Sequence, residues 1–63
     1  MSLGKNIARV RERAGLSQAE LARKLKKSRS SVNEYESGRH EPPVLLLRRI
    51  AKLTGADIAE LLS

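Results

Sequence analysis

Apolar residues recur every three or four positions along most of this chain, which is the period of a helix rather than of a strand. Leu3, Ile7, Val10 and Ala14 form one such stripe and predict a first helix over residues 3–14. Ser2 is suited to cap its start, and Gly15 supplies the left-handed residue that closes its end. Lys5, Arg9, Glu12 and Arg13 fall largely outside the stripe. A second helix opens at Ser17-Gln18-Ala19-Glu20, the pattern of a capping box in which the serine hydroxyl and the glutamate carboxylate each take the other's backbone amide. Leu16 before the cap and Leu21 after it have the spacing of a hydrophobic staple. Leu21, Ala22 and Leu25 make the buried face.

Lys26-Lys27-Ser28 ends this helix, and Ser28 is placed to cap the next, which runs to Ser37 with Gly38 as its stop. Val32 and Tyr35 are the third helix's only apolar residues, so one narrow face is expected to be buried and the rest left available. The loop Arg39-His40-Glu41-Pro42-Pro43 excludes a continuous helix and presets entry to a fourth over residues 44–53. Val44, Leu47, Ile50, Ala51 and Leu53 are its expected core residues. Leu45 and Leu46 exceed what one face needs: they either fill core or form a dimer patch, and the second reading is preferred. Gly55 breaks the chain, and Asp57 caps a last short helix with Ile58, Leu61 and Leu62 expected inward. The whole predicts an all-α, five-helix bundle forming one domain over residues 1–63.

Composition changes this picture in two ways. There is no cysteine, which excludes disulfides and thiolate metal sites and favours a reducing, cytoplasmic setting. No apolar run approaches the length of a membrane span, and no secretory signal follows the basic start. The charge is uneven: residues 1–40 hold ten basic and four acidic side chains, residues 41–63 three of each. The basic excess therefore sits on the part containing residues 18–37, which favours a polyanionic partner over a membrane surface. No nucleophile–base arrangement, metal-ligand spacing or cofactor motif is visible, so neither an enzyme nor a bound cofactor is expected. His40 stands alone in its loop, within reach of phosphate, and the lone aromatic Tyr35 reads as core or rim rather than as a stacking platform.

Two short helices joined by a tight turn, the second of them polar, match a helix-turn-helix. The run GLSQAELARKLKKSRSSVNEYESGRHEPP resembles the phage-repressor and Cro type of this motif, the family also called xenobiotic-response-element regulators. Arg11, Gly15-Leu16-Ser17-Gln18, Leu21-Ala22, Leu25, Ser28, Val32, Glu36, Gly38 and Pro42 carry the likeness, and IAKLTGADIAELL resembles the family's last two helices. The resemblance implies a lambda-repressor-like fold and a sequence-specific transcriptional regulator of double-stranded DNA, a repressor by preference. It implies base contacts from Arg29, Ser30 and Glu34, with Asn33 on the same face by helical spacing. It implies phosphate contacts from Ser17, Gln18, Lys27, Ser28, Ser37 and Arg39. For Ser17 and Ser28, capping and phosphate contact are compatible roles. Arg11 and Glu36 match a structural ion pair of the family.

Three positions depart from the pattern. At Lys26 the family usually has glycine, and a lysine there costs about 1–2 kcal/mol if the left-handed turn is kept. Lys27 and Arg48 stand where apolar residues are common. Family members commonly pair near the last two helices, so a homodimer is expected, with Leu45 and Leu46 in the patch. The rival reading is an antitoxin or protein-interaction module, with a protein partner on Leu45, Leu46 and the last helix.

Overall fold

Four of the five helices end in the same way, and that shared ending shapes the molecule. In a computed structural model, residues 2–63 are described as α1 (Leu3–Arg13), α2 (Gln18–Leu25), α3 (Arg29–Ser37), α4 (Val44–Thr54) and α5 (Ile58–Leu62). α1, α3 and α4 close on Gly15, Gly38 and Gly55, all with positive φ. α2 closes on Lys26, at φ 58 the one non-glycine residue with positive φ among those described. The closures at Lys26 and Gly55 turn the chain sharply enough for the next helix to pack back on the last, α3 on α2 and α5 on α4, whereas after Gly15 and Gly38 the chain carries the next helix away to other partners.

The starts are local side-chain chemistry. Ser2, Ser17, Ser28 and Asp57 each accept a hydrogen bond from an amide in the helix they precede. α2 and α5 have complete capping boxes, through Ser17 with Glu20 and Asp57 with Glu60. α4 starts after Pro43, whose carbonyl accepts from the Leu46 and Leu47 amides.

One core holds the helices together: Ile7 and Val10 of α1, Leu21, Ala22 and Leu25 of α2, Val32 of α3, Leu46, Leu47, Ile50 and Ala51 of α4, and Leu61 of α5. Leu3, Leu16, Tyr35, Ala56 and Ile58 pack at its edge. Among the described residues there is no strand, and no helix is long and apolar enough to cross a membrane.

The phase of α4 differs from the expected one. Val44 is 70% exposed and Leu53 39%, whereas Leu46 is only 6% exposed. The expected Leu45–Leu46 patch therefore loses Leu46 to the core and keeps Leu45, with Val44 beside it. The reason is the spacing of Leu46, Leu47, Ile50 and Ala51, which brings both pairs onto one face one turn apart. Val44 and Leu45, at the start of the helix, are left outside. Leu62 also points out, at 64% exposure, because a five-residue helix has room for one inward pair, Ile58 and Leu61. Ala14, the last position of the α1 stripe, is exposed as the chain leaves the helix.

Two residues of α1 with no role in the pattern are buried. Asn6 is fully buried, and its Nδ2 donates to the carbonyls of Leu61 at 2.9 Å and Ser63 at 3.1 Å. It ties the end of α5 to α1 and satisfies carbonyls that a helix end leaves open. Gly4 lies against the backbone of the last turn of α3, where an added Cβ would overlap the carbonyl oxygens of Glu36 and Tyr35. Replacing Gly4 with Ala should force α1 and α3 apart and destabilise the fold by about 1–3 kcal/mol, read by chemical denaturation.

The outer side of α5 is held by charge. Arg13 donates from Nη1 and Nη2 to the two carboxylate oxygens of Glu60, at 2.8 and 3.1 Å. That pair, followed by the Asp57 amide, holds the Glu60 carboxyl down at about 2 from an ordinary 4.5. A lowered folded-state value means the contribution is complete above the ordinary carboxyl range and is lost as pH falls through about 2. The protection of the α5 amides from exchange, taken relative to the intrinsic rate at each pH, should therefore fall between pH 4.5 and about 2. A Glu60→Gln variant should show lower protection at neutral pH and little further loss of protection across that window.

Candidate nucleic-acid interface

The exposed side of α3 begins with a residue that the helix itself does not favour. Arg29 is the first residue of α3, where the helix dipole presents its positive end and a cation is mildly destabilising. Arg29, Ser30 and Asn33 are exposed and share a face by helical spacing. Among the described residues no side-chain hydrogen bond or ion pair engages any of the three. The opposite face holds Val32 in the core and Tyr35 at its edge. Ser28 accepts from the Ser31 amide at 3.1 Å, which leaves the Arg29 and Ser30 amides pointing out of the helix start, a geometry suited to an anion.

Glu34, the fourth residue of the expected reading face, is half-buried. Its carboxylate lies 3.9 Å from His40 Nε2, a contact that is ionic only when the imidazole is protonated. The structure thus brings Arg29, Ser30 and Asn33 together and sets Glu34 toward the loop that follows α3.

The six residues expected near phosphate divide into two groups. Lys27 and Arg39 are exposed, with no side-chain partner among the described residues. The other four are engaged within the fold. Ser17 caps α2 through the Glu20 amide at 3.0 Å, and Ser28 caps α3. The Ser17 amide in turn bonds the Glu20 carboxylate, holding its pKa below the ordinary value. Ser37 donates its hydroxyl back to the Glu34 carbonyl at 3.2 Å. Gln18 Nε2 donates to Glu36 Oε1 at 3.0 Å.

Glu36 is the hub that fixes α3 to its neighbours. Its carboxylate is 8% exposed and accepts from Arg11 Nε at 2.6 Å and Arg11 Nη2 at 3.2 Å as well as from Gln18. Arg11 Nη1 donates to the Leu16 carbonyl at 2.8 Å. One guanidinium therefore joins α1, the turn into α2 and the end of α3. The hydrogen bond to Glu36 raises the Arg11 pKa further above its ordinary value, against an opposing effect of burial.

The joint between α2 and α3 keeps the left-handed geometry despite Lys26. The Lys26 amide donates to the Arg23 carbonyl at 3.1 Å and the Lys27 amide to the Ala22 carbonyl at 2.9 Å. This is the double closure of a helix end that glycine ordinarily serves. Lys26 and Lys27 both extend into solvent.

These features are two helices joined at a left-handed turn, the second presenting a polar stripe, within a five-helix bundle. They define a helix-turn-helix protein. The chain belongs to the helix-turn-helix family, of the Cro and C1 type: the family model matches residues 7–61. A crystal structure of the clp gene regulator ClgR from C. glutamicum superposes with a TM-score of 0.86 at 32% identity, covering 95% of this chain and 78% of that one. A protein of Yarrowia lipolytica, described as a candidate multi-protein-binding factor 1, is 41% identical over 57 residues, 90% of this chain. The multiprotein-bridging factor 1 of Candida albicans is 37% identical over 65 residues, 95% of this chain. The chain spans 38% and 43% of the length of these two relatives. Family and structural neighbour both point to DNA-binding regulation of transcription.

Lys26 offers a direct measure of what the joint costs. Lys26→Gly should stabilise the fold by about 1 kcal/mol, read as a shift in denaturation midpoint with an unchanged slope.

Proposed function

We propose that this chain reads double-stranded DNA by placing α3 in the major groove, as the DNA-binding part of a transcriptional regulator. The carrying observation is the exposed, unpartnered stripe Arg29, Ser30 and Asn33 on a helix that Val32 and, at its C-terminal end, Glu36 fix to the rest of the fold. Arginine suits guanine O6 and N7, and asparagine suits adenine. Glu34 supplies a cytosine contact when it leaves His40. Lys27, Arg39 and the free amides at the starts of α2 and α3 take phosphates, joined by Ser17, Gln18, Ser28 and Ser37 at the groove edge. The role is binding, without catalysis, in a reducing compartment.

Two copies related by a two-fold axis would set their α3 helices about 34 Å apart on a near-palindromic site. Val44 and Leu45, at 70% and 72% exposure, supply the apolar surface for such a pair. Occupying a promoter in this way represses by excluding polymerase. A second reading, protein bridging through the same α4 surface, draws support from the descriptions of the yeast relatives.

Selection of bound sequences from a random duplex library tests the reading. The expected result is a paired motif with half-sites one helical turn apart. Arg29→Ala should weaken the selected duplex at least about tenfold and a random duplex far less. Lys27→Ala should weaken both alike and lower the salt slope by about one. Failure to bind any duplex at low salt overturns the proposal.

A further inference from the structure

The last four carbonyls of a helix have no partner within it. At the end of α2, those of Ala22 and Arg23 are taken by the Lys27 and Lys26 amides. The remaining two are taken from outside. Arg49 of α4 donates from Nη2 to the Lys24 carbonyl at 3.1 Å and from Nη1 to the Leu25 carbonyl at 3.3 Å. Among the described residues, no side chain holds the final two carbonyls at the glycine closures of α1, α3 or α4. The one left-handed closure built on lysine is also the one whose final two helix carbonyls are held by a guanidinium.

We propose that Arg49 is a positioning residue for the reading helix: it spans the last two carbonyls of α2 and so holds the strained joint at Lys26 from which α3 departs. Arginine suits this because its planar fork reaches two neighbouring acceptors at once, which the single ammonium of lysine does not. Its charge also lies at the negative end of the α2 dipole, where a cation is favoured. With Arg49 in place, the end of α2 is fixed to α4, and the left-handed Lys26 is held between that end and the cap of α3 at Ser28. Without it, lysine alone bears the conformation and the joint opens more often, spreading the directions in which Arg29 and Ser30 point. The proposal rests on the DNA reading for its functional consequence, and on the geometry alone for the brace.

The test uses the full chain and four variants: Arg49→Lys, Arg49→Ala, Lys26→Gly, and Arg49→Ala combined with Lys26→Gly. Amide exchange at Lys26 and Lys27 reads the brace without DNA. Affinities for the selected duplex and for a random duplex of equal length, across a salt series, read its consequence. Arg49→Lys keeps the charge and loses the fork. It should speed exchange at both amides and weaken the selected duplex about threefold to tenfold, with the random duplex and the salt slope unchanged. Lys26→Gly should restore most of what Arg49→Ala loses on the selected duplex, because glycine adopts the turn without strain. Equal loss on both duplexes with a salt slope lower by about one would make Arg49 a phosphate contact and overturn the proposal. Unchanged exchange in both Arg49 variants would overturn it too. A wild-type chain that binds neither duplex overturns the DNA reading, while the exchange rates still decide whether Arg49 holds the joint.

Discussion

The carboxylate of Glu36 is the constraint from which the placement of α3 follows. It is nearly buried, and removing a charge from water is costly unless it is fully paired. Arg11 and Gln18 together provide that pairing from two other helices. A helix with only Val32 and Tyr35 as apolar contacts could not be oriented by burial alone. The network supplies direction where the core supplies only adhesion. It also occupies the Gln18 amide, so the start of α2 and the end of α3 are positioned together.

The joint between α2 and α3 shows how a costly residue is retained. Lys26 keeps the backbone of a glycine closure, at a conformation most side chains avoid. The surrounding bonds are complete, with all four terminal carbonyls of α2 satisfied, two by the turn and two by Arg49. In exchange, the region between the two helices carries two solvent-exposed cations in place of the small and apolar residues common in the family. The resulting surface is more basic without a change of fold.

Much of the architecture was legible in the sequence because it is written in short-range chemistry. Serine caps, the Ser17–Glu20 box and the glycine closures each involve residues within a few positions of one another, and their partners can be named from spacing. The Arg11–Glu36 contact came from family likeness, since nothing in the spacing of two residues 25 apart announces it. The phase of α4 was misread because four consecutive apolar residues, Val44 to Leu47, fit several faces; the repeat of Leu46-Leu47 in Ile50-Ala51 carried the answer. Asn6, Gly4 and Arg49 were missed for a common reason. Each acts on the backbone of a distant helix, and backbone carbonyls leave no mark in a residue pattern. Gly4 did carry a faint signal, because glycine in the first turn of a helix is unfavourable without a packing reason. The glutamate completing the α5 box, Glu60, was visible three residues after Asp57 by the same rule that identified Ser17 and Glu20.

The close approach of Gly4 to α3 has a mechanical side. α3 is rooted at its C-terminal end, where Gly4 touches its backbone, Glu36 is bound and Gly38 closes the turn. Arg29 and Ser30 sit at the opposite tip, roughly 13 Å away along a nine-residue helix. A tilt of about 5° at the root moves that tip by about 1 Å, enough to take a hydrogen bond from good geometry to none. α3 is therefore aimed from two places, its root against α1 and the joint by which it leaves α2, and the position of its tip follows both. Small changes of volume beneath its root, far from any base, would retune what its tip can reach.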